Sequence, residues 1–342
     1  MPAILEAVHR AAEGRDLSEE LAAAAMLDIL HGRSTPVRTA ALLTALRVKG
    51  ETAAEVTGFA RAMRDSAVRV RPRKTPSRNL VDTCGTGGDG GGTFNVSTTA
   101  ALVAAGAGLA VAKHGNRSIS SQCGSADVLE ALGVRVDLDA ARVARSIDEV
   151  GIGFLFAPTM HPAMRHAGPV RRELGMRTVF NMLGPLTNPA GAGIQVIGVF
   201  ETGIVSLAAE ALARLGAQRA LVVHGSDGMD EITLAGPTSF AEVRDGTVTT
   251  GTLDPEDFGL SASSTDGIRG GDAQANAATV RAVLDGQPGP ARDIVVMNAG
   301  AVLRMAGKAD GWREGAAAAG AAIDSGKAGA KLAELAAFTH RG

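Results

Sequence analysis

The chain has 342 residues, enough for a large core and two domains. A formal net charge of −2, no Tyr and one Trp give neither the electrostatics nor the stacking surfaces of a nucleic-acid binder. The longest apolar stretch, 100–112, contains two glycines and falls short of the roughly 20 residues of a membrane span. Glu6, His9, Arg10 and Glu13 interrupt any signal-peptide core, and Cys84 and Cys123 form no CxxC pair. Both features predict a reducing, cytoplasmic setting.

Residues 1 to about 70 read as helix throughout. Asp16 with Glu19 and Thr52 with Glu55 are spaced as capping boxes. Thr35 before Pro36 marks a helix start and Gly50 its end, with Leu42, Leu43, Leu46 and Val48 as the apolar face. A basic linker carries Arg69, Arg71, Arg73, Lys74 and Arg78. From Leu80 the pattern changes to alternating strands and helices. Strands are predicted at 80–81, 109–113, 152–157, 194–200 and 220–224, and helices at 99–106, 125–132, 140–150 and 205–215. Residues 242–252 predict a hairpin turning at Asp245-Gly246, and 272–285, 291–306 and 312–338 predict Ala-rich helices. Proline-rich 158–191 breaks the alternation and can return the chain to the helical unit. The fold class is therefore α/β: a small all-helical N-terminal domain, 1–70, completed by helices from about 160–190. A larger α/β domain with a mainly parallel central sheet follows over 71–342.

The chemistry concentrates at four places. Gly85-Thr-Gly-Gly-Asp89 and three more glycines follow the first strand, then Asn95-Val-Ser-Thr98 opens a helix. Glycine backbone can close around an oxyanion, and a helix N-terminus presents free N–H groups to it. No Gly-Lys-Ser/Thr follows, so this is not a Walker A loop, and Asp89 spoils a dinucleotide fingerprint. A carboxylate there requires a metal or a sugar hydroxyl beside the phosphates. After the second strand come Lys113-His-Gly-Asn-Arg117, Ser118, Ser120, Ser121 and Gly124-Ser-Ala-Asp127. Lys113 and Arg117 suit phosphate, and His114 is read as a packed, hydrogen-bonding histidine before a general base. The third cluster, from His161 through Arg171-Arg-Glu-Leu-Gly175 and Arg177 to Asn181-Met-Leu-Gly-Pro-Leu-Thr-Asn-Pro189, is cationic. Many of its arginines can equally pair with Glu173 and carbonyls. Asp230-Glu231, after a late strand, offers hard oxygen ligands suited to Mg²⁺.

In order and spacing these motifs resemble the anthranilate phosphoribosyltransferase family, over nearly the whole chain and more weakly after about residue 235. The resemblance implies transfer of the phosphoribosyl group of phosphoribosyl pyrophosphate (PRPP) to the amine of anthranilate, in tryptophan biosynthesis, by a homodimer joined through its helical domains. It implies that Gly85, Gly88, Asp89 and Thr93 hold PRPP, with Asn95, Val96, Ser97 and Thr98 on the pyrophosphate side. Lys113, His114, Gly115, Asn116, Arg117, Ser118, Ile119, Ser120, Ser121 and Ser125 complete the PRPP site. Gly85, Asn116 and Arg171 would contact anthranilate, and Ser97, Asp230 and Glu231 would hold Mg²⁺. Gln122 and Cys123 depart from the small or basic residues of the family pattern. The lack of Tyr removes any aromatic hydroxyl from the acceptor channel. An aromatic amine is nucleophilic without prior deprotonation, so no catalytic acid or base is expected. Two alternatives share the architecture: a pyrimidine nucleoside phosphorylase, which needs no Asp-Glu metal pair, and a non-catalytic nucleic-acid-binding relative, which needs an electropositive groove.

Overall fold

Four helices come first in a computed structural model that describes residues 2–88, 92–118 and 122–341. They are α1 (Ala3–Ala12), α2 (Glu19–Leu30), α3 (Pro36–Lys49) and α4 (Ala53–Asp65). Thr52 and Glu55 form the capping box predicted for α4. At α2 the cap is Ser18, which accepts from the Leu21 N–H, while the Asp16 carboxylate is taken by Lys49 at 2.7 Å. Leu42, Leu43 and Leu46 of α3 are buried, but Val48 is 83% exposed. Two residues beyond Leu46, it has turned roughly 200° around the helix.

The remaining elements build a seven-stranded sheet in the order β3-β2-β1-β4-β5-β6-β7. β1 (Leu80–Asp82) leads through α5 (Val96–Gly106) to β2 (Ala110–Gly115), and α6 (Ser125–Ala131) and α7 (Ala140–Val150) lead on to β3 (Ile152–Phe156). The chain then leaves the sheet through α8 (Ala157–Met160), α9 (Gly168–Leu174) and α10 (Phe180–Leu186). It re-enters as β4 (Ile194–Gly198) and passes along α11 (Gly203–Arg214) to β5 (Arg219–Gly225). These five strands are parallel. The antiparallel hairpin of β6 (Thr238–Arg244) and β7 (Thr247–Leu253) extends the edge beyond β5. Its turn is at Asp245 and Gly246, both with positive φ, the hand that matches strand twist. The C-terminal helices are α12 (Ala273–Leu284), α13 (Pro290–Met305), α14 (Trp312–Asp324) and α15 (Lys327–His340). The single helix predicted over 312–338 is thus two, because Gly326 takes a left-handed φ of 73°.

Strand alternation sends side chains to two cores. On β5, Leu221 and Val223 join α5 and α13, while Ala220 and Val222 join the helical side with α4 and α11. Ala167, Val170, Phe180 and Leu183 of the proline-rich excursion pack into that same helical cluster. α5 is buried almost all round, with α15 so close that a Cβ on Gly106 would lie 2.7 Å from the Ala328 nitrogen. β1 sits between β2 and β4, where the crossover direction changes. In open parallel sheets this places the ligand crevice at the carboxyl ends of the strands.

Candidate active site

The glycine loop leaves β1 at this crevice and is held by residues distant in sequence. The Thr86 N–H donates to the Gly198 carbonyl at 2.9 Å, tying the loop to the end of β4. The Gly87 N–H donates to Asp230 Oδ2 at 2.7 Å, and the Ser97 N–H at the start of α5 donates to Glu231 Oε1 at 3.0 Å. Both members of the acidic pair therefore reach N–H groups of the first motif. The approach is too close for side chains. A Cβ on Gly85 would lie 2.7 Å from Asp230 Oδ2, and one on Gly198 would lie 1.5 Å from the Asp230 carbonyl oxygen. Thr93 forms a β-bridge with Arg269, and the Gly92 carbonyl accepts from Gly270, which pins the far side of the loop. Asp89 lies outside the described residues.

Asn95 caps α5 with its backbone rather than its side chain. Its Nδ2 donates to the Cys123 carbonyl and its Oδ1 accepts from Asn276 of α12. Asn276, which sequence reasoning missed, is buried and also accepts from the Gly271 N–H. Val96 and Thr98 are buried in the first turn of α5.

The loop after β2 is held locally. Asp127 accepts from the N–H groups of Ser118 at 3.0 Å and Gly124 at 2.9 Å. The Ser125 hydroxyl bonds both the N–H and the carbonyl of Asn116. A Cβ on Gly115 would lie 2.2 Å from that hydroxyl. Arg117, expected to face phosphate, is committed to Asp127 and bidentately to Glu130. Burial raises the Asp127 carboxyl, but the two N–H donors and Arg117 together hold it below the usual carboxylate range. Ile119, Ser120 and Ser121 lie outside the described residues.

Beneath both loops lies a buried polar layer. Asp82, fully buried at the end of β1, accepts from the His114 N–H at 3.1 Å and from Asn188 Nδ2 at 2.7 Å. Lys113, also expected to face phosphate, turns inward: its ammonium donates to the carbonyls of Thr83 and His114. His114 has Nδ1 bonded to the Gly184 carbonyl at 3.1 Å, and its ring centroid lies 5.2 Å from that of His161. Burial pushes His114 down to about 3 and His161 to about 4. Here His114 is a buried, hydrogen-bonded side chain.

Two groups of side chains can be tested as a metal centre. Ligand atoms of Asp82, Cys84 and His114 lie within 4.8 Å of one another. Both Asp82 oxygens there already accept hydrogen bonds, burial drives the Cys84 thiol to about 12, and the Lys113 charge lies beside both. That group suits a structural layer. Asp230 and Glu231, by contrast, are hard oxygen donors next to the N–H groups of an anion-binding loop, a donor set that fits Mg²⁺.

On the helical side, α9 carries Arg171, whose guanidinium stacks over Phe180, 5.2 Å from the ring centroid. Pairing of the third-cluster arginines with Glu173 does not occur among the described residues. Arg177 instead lies over Phe200 at 4.3 Å and donates to the Gly88 carbonyl. Neither the Arg177 contact nor Asn276 could be read from spacing, because both join segments far apart in the chain.

The site has a strand–glycine loop–helix, a polar loop on the neighbouring strand and an acidic pair at their meeting point. Residues 77–329 match the a/b domain of the glycosyl transferase family, and residues 5–67 match that family's helical bundle domain. The chain belongs to this glycosyl transferase family. It is 54% identical over 342 residues to the anthranilate phosphoribosyltransferase of Symbiobacterium thermophilum, covering 100% of this chain and 98% of the relative. The crystal structure of anthranilate phosphoribosyltransferase from Thermus thermophilus superposes with a TM-score of 0.93 at 48% identity, covering 100% of both chains. The Saccharomyces cerevisiae enzyme in complex with PRPP and Mg superposes with a TM-score of 0.88 at 28% identity, covering 98% of this chain and 97% of that one.

Proposed function

We propose that this chain transfers the 5-phosphoribosyl group of PRPP to the amine of anthranilate, giving N-(5-phosphoribosyl)anthranilate and pyrophosphate. The carrying observation is the meeting of Asp230 and Glu231 with the N–H groups of Gly87 and Ser97. A nucleoside phosphorylase has no use for that acidic pair. The N–H groups of the glycine loop and of α5 bind and orient the diphosphate. Ser97, Asp230 and Glu231 would hold Mg²⁺, which when bound neutralises the leaving group. Gly85, Gly88, Asp89, Thr93 and 95–98, with 113–121 and Ser125, form the PRPP half-site, while Gly85, Asn116 and Arg171 receive anthranilate. Catalysis is positioning and electrostatic stabilisation of pyrophosphate departure, with the amine attacking the ribose C1 from the opposite face.

The same reading divides the chain into a helical domain, 1–70 completed from about 160–190, and an α/β domain, 71–342. It makes the enzyme a cytoplasmic homodimer joined through the helical domains. A groove of about 510 Å³ beside Ala40, Ala41, Thr44 and Val48, with Val37 78% exposed, supports that joining face. Light scattering of Val48→Lys tests it, the dimer dissociating if the face is correct. The reaction is tested by following anthranilate fluorescence with PRPP, with Mg²⁺ and then with EDTA. Decay that requires both PRPP and Mg²⁺ is the expected result. No decay in folded protein sinks the acceptor assignment.

A further inference from the structure

The glycine loop has two polar sides, and the structure holds each differently. Gly87 and Gly88 both have left-handed backbone, with φ of 65° and 77°. Consecutive glycines in this region can rotate their peptides at little steric cost. Such a rotation would replace an N–H by a carbonyl on the side that faces an anion, turning an attractive dipole into a repulsive one. On one side the Gly87 N–H is fixed by Asp230 at 2.7 Å. On the other the Gly88 carbonyl is captured by Arg177. The Arg177 guanidinium is itself seated on Phe200, just past the end of β4, 4.3 Å from the ring centroid. It belongs to the segment between α9 and α10 that follows Arg171, and Gly175, with a φ of 59°, lies between the two arginines.

We propose that Arg177 is a positioning residue that fixes the polarity of the glycine loop, keeping the Gly88 carbonyl turned away so that the loop's N–H groups face the diphosphate. The proposal rests on the phosphoribosyl-transfer reading. Arg177 touches neither substrate in this role. It acts through Gly88, and Phe200 acts through Arg177. Because the guanidinium lies six residues after Arg171, it also ties the diphosphate half-site to the acceptor half-site.

The test compares wild type, Arg177→Ala, Arg177→Lys and Phe200→Leu in steady-state kinetics and in calorimetric titration with inorganic pyrophosphate and Mg²⁺. Arg177→Ala is expected to raise KM for PRPP and weaken pyrophosphate binding by about tenfold, the size of one hydrogen bond to a charged donor. KM for anthranilate should stay within about twofold, and the exposed position should leave the melting temperature unchanged. Lysine keeps a donor but loses the planar stack, so Arg177→Lys should recover part of the loss, and Phe200→Leu should weaken binding in the same direction. Equal pyrophosphate affinity in wild type and Arg177→Ala overturns the proposal. So does a rise confined to KM for anthranilate, which would make Arg177 an acceptor ligand. A wild type that binds pyrophosphate but does not consume anthranilate removes the acceptor reading and leaves the calorimetric comparison to decide Arg177.

Discussion

Two loops leave neighbouring parallel strands and enter helices, yet they are stabilised in opposite ways. The loop after β1 draws its partners from afar: Gly198 at the end of β4, Asp230 and Glu231 beyond β5, and Arg177 from the helical excursion. The loop after β2 is held chiefly from within: among the described residues Asp127, Ser125 and Glu130 of its own loop and helix anchor it, with a tie to Asn95 through the Cys123 carbonyl. The difference separates shape from chemistry. A locally satisfied loop keeps its form whatever binds. A loop whose N–H groups rest on distant carboxylates can exchange them for another anion once a cation takes the carboxylates.

The strongest way to break the comparison is to remove the distant acids. Asp230→Ala with Glu231→Ala should lower turnover by about 10³-fold, as for lost electrostatic stabilisation of a leaving group. Global stability should barely change, because water can reach Gly87 and Ser97; turnover and urea unfolding measured together check both halves. Removing the layer beneath both loops should do the reverse. Asp82→Ala leaves the buried His114 N–H without its acceptor and takes one from Asn188, and should cost about 1–3 kcal/mol in urea unfolding. The local anchor comes next. Asp127→Ala frees the N–H groups of Ser118 and Gly124 at the start of α6 and should cost about 1 kcal/mol, while raising KM for PRPP. Because the folded carboxyl is held below its usual range, wild type has this contribution above the unfolded pKa. It loses it as pH falls through the lower folded value, and Asp127→Ala should flatten that acid limb of stability.

The smallest effect is expected at the histidines. His114→Ala should lower turnover far less than the roughly 10²–10⁴-fold of a missing general base. Burial holds the folded values at about 3 for His114 and about 4 for His161. Between those values and the ordinary one near 6.5 the unfolded chain binds the protons, so stability is full above that range and declines as pH falls through it. Unfolding at about pH 7 and about pH 5 checks the decline. A turnover profile that rises or falls steeply with an apparent pKa near the ordinary histidine value of about 6.5 would return His114 to the role of base.

The sequence made the local features legible because they are written in neighbouring residues. Thr35-Pro36, Thr52 with Glu55 and the Asp245-Gly246 turn each specify their structure within a few positions. Spacing says less where tertiary contact adds partners. Lys113 and Arg117 carry the charge for phosphate, and spacing alone does not show that one also bonds interior carbonyls and the other Asp127 and Glu130. Asp16 has the spacing of a cap, yet Lys49 claims it. Asn276 and Arg177 had no local signal at all, since their partners, Asn95 and Gly88, lie in other segments.

The position of β1 also bears on the order in which the protein is made. Asp230 follows Gly87 by 143 residues, and β4, the strand beside β1, begins only at Ile194. At about 5–20 residues per second, a ribosome needs on the order of ten seconds between delivering the glycine loop and delivering its carboxylates. Until β4 is made the nascent chain carries β1 with one edge uncovered, and until residue 231 is made its loop lacks the two carboxylates. The pocket therefore cannot mature before residue 231 has been made, and a diphosphate ligand can stabilise the protein only after that point.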